Sequence, residues 1–323
     1  ARAESPGPEL DRLTPRYRGT ALRLWGFYAI LTLVAAVVLA FGDMSLYEAS
    51  AHALTAISTG GFSTESGSIG AFSAYTQWVI IVFMVVSGVS FALHIRALKD
   101  PGAYLRKPQF RYYLVSLLIG VVLISLGLYL DGTGVPVREA AFTAIAMITG
   151  TGYAVTNYAV WPAAILSVIL MMMFVGGMSG STTGALKTYR VAIILKSAAN
   201  EVRRLTRPQA ISITRFGTSA LPRGIVSSVQ AYVVVYVLAF AIGTVLLLYF
   251  ESARGTEMGL VTGASAAASA IANVGPGLGL VGPEGTYAIV GGLGKWVLAM
   301  LMILGRLEIY PVILLFTASF WRR

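Results

Sequence analysis

The chain has 323 residues, of which 56% are hydrophobic and 12% are charged, and its mean hydropathy is +0.75. This composition excludes a soluble globular domain and indicates a polytopic membrane protein. The chain contains no cysteine, which excludes a disulfide framework, a thiol nucleophile and a thiolate metal site.

The net charge of +10 is distributed unevenly along the chain. Most basic residues fall in four groups, residues 2–23, 96–111, 187–223 and 322–323. The intervening segments next to the short helices hold only Arg138 and Arg254, together with the acidic residues Asp43, Glu48, Glu65, Asp131, Glu139, Glu251, Glu257 and Glu284. Because cytoplasmic loops are enriched in Lys and Arg, the basic groups are predicted to be cytoplasmic. A dedicated patch for nucleic acid or lipid headgroups is the less favoured explanation.

The first predicted repeat, residues 1–107, combines a spanning helix with a helix that is too short to span. Thr20 to Phe41 is predicted to cross the bilayer. Ser45 to Ile57 has only 13 residues, whereas a spanning helix needs roughly 20. Ser45 and Glu48 match a capping box, so this half-helix is predicted to begin at the outer surface and to end within the membrane.

The loop after this half-helix is predicted to line an ion pathway with backbone carbonyls. It consists of Ser58, Thr59, Gly60, Gly61 and Phe62. Backbone that is not helical is tolerated at membrane depth only where protein covers it or where it lines an aqueous cavity, and glycine lets a carbonyl face such a cavity. Carbonyl oxygens suit a dehydrated alkali cation, so the loop is interpreted as part of a selectivity filter.

The same order of elements occurs again in residues 108–222. Tyr112 to Leu130 is predicted to span the membrane. A short helix is predicted from Pro136, since proline suits the first helical turn, to Ile148. The loop that follows it consists of Thr149, Gly150, Thr151, Gly152 and Tyr153.

A third copy, residues 223–323, has a spanning segment from Ile225 to Phe250 and a short helix that opens at Thr256 and Glu257. Its loop consists of Ala272, Asn273, Val274, Gly275, Pro276 and Gly277. Comparison of the three loops places Gly60, Gly152 and Gly275 at corresponding positions. The predicted fold class is an all-α polytopic membrane protein in which tandem repeats of helix, half-helix pore loop and helix surround one pore, as in a potassium channel.

Each loop is followed by a long apolar run that is predicted to return to the cytoplasm. The first, Tyr75 to Leu93, is predicted as one helix. The second begins at Trp161 and descends about 21 Å before it reaches nine residues near the midplane. These are Gly176, Gly177, Met178, Ser179, Gly180, Ser181, Thr182, Thr183 and Gly184. They are predicted to form a flexible intramembrane loop because they are poor helix formers, with close helix packing through small residues as the alternative. A basic helix from Leu186 to Arg204 follows.

The third inner helix, Gly292 to Phe320, carries two charged residues in its middle. An arginine at this depth costs about 2.5–3.5 kcal/mol on insertion scales, so Arg306 is predicted to face a polar cavity or an acidic partner. A structural ion pair is the alternative to a role in the pore. Glu308 points to another face of the helix.

His52, in the first half-helix, is interpreted as a packing residue in preference to a pore or proton site.

Five motifs resemble those of the Trk/Ktr/HKT superfamily of potassium transporters, and within it those of the bacterial Trk and Ktr membrane subunits. They are Ser58 to Ser63, Thr151 to Tyr153, Gly176 to Gly184 with Lys187, Asn273 to Gly277, and Gly305 to Glu308. The resemblance covers nearly the whole chain. It implies that K⁺ is bound and transported at a filter that includes Thr59, Gly60, Thr151, Gly152, Val274 and Gly275.

The same resemblance implies a gate and partners. The gate would comprise Gly176, Gly177, Ser179, Gly180, Ser181 and Gly184, with Arg306 as the positive residue beneath the filter. Members of the family form homodimers in the bacterial inner membrane, and a cytoplasmic ring of nucleotide-binding regulatory subunits controls them. No other cofactor, no enzymatic activity and no nucleic-acid partner is implied.

Two features depart from the family pattern. Family members have four repeats, and the three predicted here resemble the second, third and fourth. Since three loops cannot close a four-part filter, a preceding repeat is expected outside this sequence. In addition, Gly150 occupies the place of the first threonine of a potassium-channel filter, which predicts a weaker innermost ion site.

A secondary carrier is the main alternative function, because broken helices at the midplane also form substrate sites in carriers. Ion-coupled carriers usually place carboxylates at such breaks, whereas the loops hold none and Glu308 is the only acid near the centre. A membrane enzyme lacks a general acid, a general base or a metal cluster. The sequence leaves open the choice of K⁺ or Na⁺, of channel or coupled transport, of Trk or Ktr subtype, and of the regulatory nucleotide.

Overall fold

The computed structural model describes residues 17–134, 137–207, 213–217 and 219–321. The predicted helix start at Pro136 and the basic residues before 17 and at 322–323 lie outside this part of the chain. The α-helices in this part of the chain are α1 (Tyr17–Ala40), α2 (Leu46–Ile57), α3 (Ala74–Ser87), α4 (Phe91–Ala97), α5 (Ala103–Arg106), α6 (Pro108–Leu130), α7 (Val137–Thr149), α8 (Ala163–Met173), α9 (Thr188–Thr206), α10 (Arg223–Ala253), α11 (Leu260–Ala272), α12 (Gly292–Arg306), α13 (Ile309–Leu315) and α14 (Ala318–Trp321).

A small antiparallel hairpin, β1 (Arg215–Phe216) and β2 (Ser219–Ala220), lies between α9 and α10. In the described residues, three helices are long and apolar enough to cross a membrane, and two pairs of bent helices raise this number to five. The long helices α1, α6 and α10 expose apolar side chains such as Leu33, Leu118 and Val245. A lipid environment suits such a surface, so the predicted all-α polytopic membrane fold is confirmed.

The three short helices pack against the long helices, and most residues of α7 and α11 are buried, whereas α2 exposes one face. Helix α2 packs against α1, α7 against α6, and α11 against α10 and α12. These half-helices contain 12, 13 and 13 residues. Every residue of α7 from Ala140 to Thr149 is buried. Alanine-rich faces let the half-helices approach their neighbours closely, and their carboxyl ends meet at the centre of the molecule.

The starts of the half-helices agree only in part with the prediction. The capping box at α2 is confirmed, since the Ser45 N–H donates to the Glu48 carboxylate at 2.7 Å and the Glu48 N–H donates to Ser45 Oγ at 3.3 Å. The predicted start of α11 at Thr256 is wrong. The Thr256 N–H donates to the carbonyl of Glu251 at 3.0 Å and so extends the carboxyl end of α10, and α11 begins only at Leu260.

The first inner helix is broken, which contradicts the predicted continuous helix from Tyr75 to Leu93. Helix α3 ends at Ser87, and α4 begins at Phe91 after a bend of 97°. The Gly88 carbonyl accepts a hydrogen bond from the Met178 N–H at 2.8 Å, and the Tyr113 hydroxyl donates to the Val85 carbonyl at 3.0 Å. These contacts with distant residues satisfy the last carbonyls of α3 where a helix would have continued.

The third inner helix is also broken, which contradicts the predicted helix from Gly292 to Phe320. Helix α12 ends at Arg306 and α13 begins at Ile309, with a bend of 112° between them. Glu308 has a φ of +61°, which a helix does not allow. Its carboxylate pairs with buried Arg190 at 2.8 Å. This ion pair holds Glu308 out of the helical conformation.

The predicted interruption of the second inner helix is confirmed. Helix α8 ends at Met173 and α9 begins at Thr188, and residues 174–187 between them form no helix. Close packing of small residues within a continuous helix is therefore excluded at this position. All three inner helices are broken after they pass the central loops.

Candidate functional site

Three loops follow the half-helices, and their backbones share one hydrogen-bond pattern. In each loop an N–H donates back to the carbonyl of the residue five positions earlier. The three bonds are Gly60 N to Thr55 O at 2.7 Å, Thr151 N to Ala146 O at 3.0 Å, and Val274 N to Ser269 O at 2.9 Å. The pattern makes Gly60, Thr151 and Val274 structurally equivalent. Residues 58–62, 149–153 and 272–277 are called the first, second and third loops below.

The equivalence corrects the predicted alignment of the loop glycines. Gly61, Gly152 and Gly275 follow the equivalent positions, and their φ angles of +69°, +77° and +110° are all in the left-handed region. Gly60 is therefore not the counterpart of Gly152 and Gly275. The first loop has two adjacent glycines. The hydrogen bond from the Gly60 N–H to the Thr55 carbonyl makes Gly60 equivalent to Thr151 and leaves Gly61 equivalent to Gly152.

The loops contact one another in order around a common centre. A Cβ atom on Gly61 would overlap the carbonyl oxygen of Thr151, and a Cβ on Gly152 would overlap the carbonyl oxygen of Val274. A Cβ on Gly275 would have no heavy atom within 4 Å. Glycine is needed at the first two positions both for the positive φ and for the close approach. The corresponding place beside Gly275 is open.

Side chains from neighbouring elements hold the first loop. The buried Tyr153 hydroxyl lies 2.5 Å from Thr55 Oγ1 and 3.4 Å from the Phe62 carbonyl oxygen. His52 is buried, with Nδ1 at 2.7 Å from the Glu48 carbonyl and Nε2 at 2.9 Å from Ser63 Oγ. Both ring nitrogens are thus bonded within the protein. This agrees with the interpretation of His52 as a packing residue.

Hydroxyl groups also hold the third loop. The N–H of Gly275 donates to Ser269 Oγ at 2.9 Å, and the Tyr287 hydroxyl donates to the Gly275 carbonyl at 2.9 Å. The Tyr158 hydroxyl donates to the Gly277 carbonyl at 3.4 Å. Sequence reasoning did not identify Ser269 or Tyr287. Ser269 carries a hydroxyl at the half-helix position that is equivalent to Thr55. This similarity was the only sequence signal for its role in holding the third loop.

The irregular segment 174–187 lies against the carboxyl ends of the half-helices. Thr182 donates to the Ile57 carbonyl at 3.0 Å, and its own carbonyl accepts from Thr59 Oγ1 at 3.0 Å. A Cβ on Gly184 would overlap the Ala272 carbonyl. The segment therefore contacts the first and third loops at the carboxyl ends of α2 and α11, as expected for the predicted intramembrane loop.

Arg306 also contacts this segment. Its Nη1 donates to the Thr182 carbonyl at 2.7 Å, while Glu308 pairs with Arg190. The alternative of a structural ion pair for Arg306 is therefore not supported, and the partner is a backbone carbonyl. Among the residues that the structure describes, no acidic side chain forms an ion pair with Arg306, so its positive charge lies beside the loops.

Arg190 was missed by the sequence analysis. Its side chain is fully buried, pairs with Glu308 and lies 3.9 Å from the centroid of the Tyr232 ring. An acid at the predicted depth of Glu308 requires a basic partner, and this requirement was the available signal. The pair connects the beginning of α9, directly after segment 174–187, to the break between α12 and α13.

A cavity of about 690 Å³ opens between the first and third loops. Its lining includes Gly60, Gly61, Gly275, Tyr287, Lys295 and Arg306. The predicted loop residues from all three repeats are thus brought together, and Arg306 is brought to the same site. Five of the six predicted ion ligands line this cavity, namely Thr59, Gly60, Gly152, Val274 and Gly275, whereas Thr151 is buried and does not.

Tandem spanning helices, re-entrant half-helices and broken inner helices around converging loops define an integral membrane protein of the pore-loop class. The TrkH family model, described as "Cation transport protein", matches residues 1–129 and 132–323. The Trk system potassium uptake protein TrkH of Halomonas elongata is 36% identical over 329 residues, which cover 100% of this chain and 67% of that protein. The protein of the same name from Escherichia coli K12 is 34% identical, with 99% and 66% coverage.

The crystal structure of the potassium transporter TrkH from Vibrio parahaemolyticus is similar, with a TM-score of 0.87 and 31% sequence identity. The match covers 96% of this chain and 66% of that one. The chain therefore belongs to the TrkH family of cation transport proteins, and it is not an enzyme. It spans about two thirds of the length of these relatives.

Proposed function

We propose that the full-length protein takes up K⁺ across the bacterial cytoplasmic membrane through a filter of backbone carbonyls. The observation that carries this proposal is the contact of Gly61 with the Thr151 carbonyl and of Gly152 with the Val274 carbonyl. Such contacts bring successive carbonyl groups around one centre, and rings of carbonyls replace the hydration shell of K⁺. The two relatives are named potassium uptake proteins, and this supports K⁺ as the transported ion.

A fourth loop is part of this proposal. The place beside Gly275 is open, whereas Gly61 and Gly152 each meet the next loop. In helix α2, the residues Leu46, Tyr47 and Leu54 are 79%, 75% and 56% exposed. The exposed face of α2 lies in the first repeat, and the open place beside Gly275 lies in the third, so the two features mark the two ends of the series of loops. A further repeat, expected from the family resemblance and from the length of the relatives, would cover them and complete the filter.

Segment 174–187 is proposed as the gate. It contacts the inner side of the first and third loops through Thr182 and Gly184, and Arg306 donates to the Thr182 carbonyl. An obstruction at this level stops every ion that has crossed the filter. Gly176 and Gly180 have positive φ angles, and glycine permits other backbone conformations at little cost. Two arrangements of similar energy would be sufficient for gating.

Control of this gate from the cytoplasm is proposed through α9. The helix begins at Thr188, immediately after the gate segment, and ends with the exposed basic residues Arg203 and Arg204. By the family resemblance, a ring of nucleotide-binding subunits acts on this side and two copies of the transporter assemble. A partner that binds one position of α9 more tightly would shift the population of the gate.

Ion uptake by the full-length protein in vesicles tests the proposal. K⁺ and Rb⁺ are expected to enter in preference to Na⁺ and Li⁺. Equal uptake of the four ions would contradict a carbonyl filter for K⁺. A coupled carrier is less well supported, because the one acid near the centre, Glu308, is already paired with Arg190.

A further inference from the structure

Gly275 differs from the equivalent glycines in the way its backbone is held. The N–H groups of Gly61 and Gly152 donate to half-helix carbonyls at 3.3 Å, and each glycine packs against the next loop. Gly275 has no neighbour within 4 Å in the direction of a Cβ. Its N–H donates to Ser269 Oγ and its carbonyl accepts from the Tyr287 hydroxyl, both at 2.9 Å. Two side-chain hydroxyls therefore hold both polar groups of this residue.

We infer that Tyr287 is a specificity-determining positioning residue, which sets the direction of the Gly275 carbonyl in the ion pathway. A carbonyl oxygen has two acceptor lone pairs, so the bond to the phenol leaves one for a cation. Glycine has a broad choice of backbone conformations. Without the phenol the Gly275 peptide is free to rotate, and the distance between its oxygen and an ion is no longer defined.

The first loop contains a similar pair of hydroxyls, which supports this role. Thr55 and Ser269 occupy equivalent positions on their half-helices, because the carbonyl of each accepts the N–H of the corresponding loop residue. The Tyr153 hydroxyl lies 2.5 Å from Thr55 Oγ1 and 3.4 Å from the Phe62 carbonyl. The phenol comes from a different part of the chain in each case. Two loops thus use a phenol beside a half-helix hydroxyl to hold a loop carbonyl.

Tyr287 is suited to this task by its position. It belongs to a short 3₁₀ turn, Tyr287–Ile289, which lies in the chain between the third loop and α12. The ring is half-buried and lines the cavity together with Gly275. Tyr287 lies outside the half-helix in the chain, whereas Ser269 belongs to α11 and is buried. The two hydroxyls therefore come from different elements, and each binds one of the two polar backbone groups of Gly275.

This inference rests on the proposed function and is tested with Tyr287→Phe in the full-length protein. The variant removes one oxygen atom and keeps the ring. The ratio of K⁺ to Na⁺ uptake is expected to fall about three- to tenfold, the factor that corresponds to one hydrogen bond. The K⁺ concentration for half-maximal uptake is expected to rise. Ser269→Ala is expected to change the ratio in the same direction.

Tyr249→Phe is the matched control, because Tyr249 is 68% exposed near the outer end of α10. It is expected to leave the ratio unchanged. If Tyr287→Phe and Ser269→Ala keep the wild-type ratio, or if they lower the uptake of all ions in equal proportion together with the melting temperature, the inference is wrong. A wild-type protein that shows no preference for K⁺ would instead overturn the proposed function.

Discussion

At the scale of single residues, the loop glycines are constrained to different degrees by their surroundings. Gly61 has a φ of +69°, and a Cβ there would overlap the Thr151 carbonyl oxygen. Gly60 is not in the left-handed region, and a Cβ there would lie 3.2 Å from Ser58 Oγ, a side-chain atom that can move. A substitution at Gly61 can therefore be compared with the same substitution at the adjacent Gly60, which serves as the control.

Gly61→Ala is expected to destabilise the protein by about 1–3 kcal/mol, because the strained backbone and the overlap with Thr151 both oppose the native loop. The ratio of K⁺ to Na⁺ uptake is expected to fall as well. Gly60→Ala is expected to have a clearly smaller effect on both. Melting curves of the purified variants and competitive ion uptake provide the measurements, and equal effects of the two substitutions would contradict the corrected alignment.

Arg306 places a positive charge next to the Thr182 carbonyl, on the inner side of the loops. Arg306→Ala is expected to raise K⁺ flux about tenfold. That factor corresponds to about 1.4 kcal/mol, less than the repulsion of about 4 kcal/mol between unit charges 4 Å apart at an effective dielectric constant of 20. Arg306→Lys keeps the charge and is expected to retain low flux. Flux is measured in vesicles. Wild-type flux in well-folded Arg306→Ala protein would show that the charge of Arg306 does not slow the passage of K⁺.

At the scale of elements, segment 174–187 is held by several hydrogen bonds to other repeats. Met178 donates to the Gly88 carbonyl at 2.8 Å, and the Gly180 carbonyl accepts from the Phe91 N–H at 3.1 Å. These bonds link the proposed gate to the break between α3 and α4. A movement of the segment therefore requires the exchange of these bonds, and α9 is the element that can drive it.

Deletion of residues 178–182 is expected to leave a pore with high flux that no longer responds to the cytoplasmic partner or its nucleotide. The deletion removes Thr182, which contacts Ile57 and Thr59, and with it the acceptor of Arg306. Flux in the presence and absence of the partner is the measurement. A deletion variant with normal flux and normal regulation would show that the segment serves only packing.

A second element-scale contact joins the end of α1 to the start of α3. The Asp43 carboxylate accepts from the Ser73 N–H at 2.6 Å, from the Ser73 hydroxyl at 2.7 Å and from the Thr76 hydroxyl at 2.6 Å. Desolvation raises the pKa of Asp43, but the hydrogen bonds from Thr76 and Ser73 together outweigh it. The pKa of this carboxyl therefore lies below the ordinary value of 3.8.

A lowered pKa in the folded state means that the Asp43 contact stabilises the protein fully above the ordinary pKa and is lost as pH falls through the folded-state value. Asp43→Asn is expected to cost about 1 kcal/mol at neutral pH. The difference in melting temperature between wild type and variant is expected to be present at about pH 7 and to shrink progressively as the pH falls below the ordinary pKa of 3.8. A difference that is constant over this range would contradict the role of the charge.

At the scale of the whole molecule, the distribution of charge predicts the orientation in the membrane. Glu65 lies between the first loop and α3, on the side of the acidic residues, whereas Glu201 lies near the basic end of α9. Both are exposed, and this chain contains no cysteine. Single cysteines at these positions can therefore report the side directly.

Glu65→Cys is expected to react with a membrane-impermeant maleimide added outside intact cells, and Glu201→Cys is expected to react only after permeabilisation. The extent of labelling is measured with and without permeabilisation, in the full-length protein with any other cysteines removed. Labelling of Glu201→Cys from outside would reverse the assigned orientation. It would also place segment 174–187 on the wrong side of the loops for a gate that responds to a cytoplasmic partner.

The sequence by itself determined the class of protein, the half-helices, the three loops and the interruption of the second inner helix. These are local properties, since helix length, apolar composition, a capping box and glycine content are each read over a few neighbouring residues. The need of Arg306 for a polar neighbour was likewise local, because it follows from the cost of a charge at that depth.

Only the tertiary structure decided the breaks at Gly88 and Glu308, the pairing of Arg190 with Glu308, and the equivalence of Gly61 with Gly152 and Gly275. Each depends on a contact between residues that are distant in the chain or on a hydrogen bond that chooses between two adjacent glycines. An apolar run has the same composition whether it continues or bends. Each of the two breaks has a contact with another repeat, since the Met178 N–H binds the Gly88 carbonyl and Arg190 pairs with Glu308.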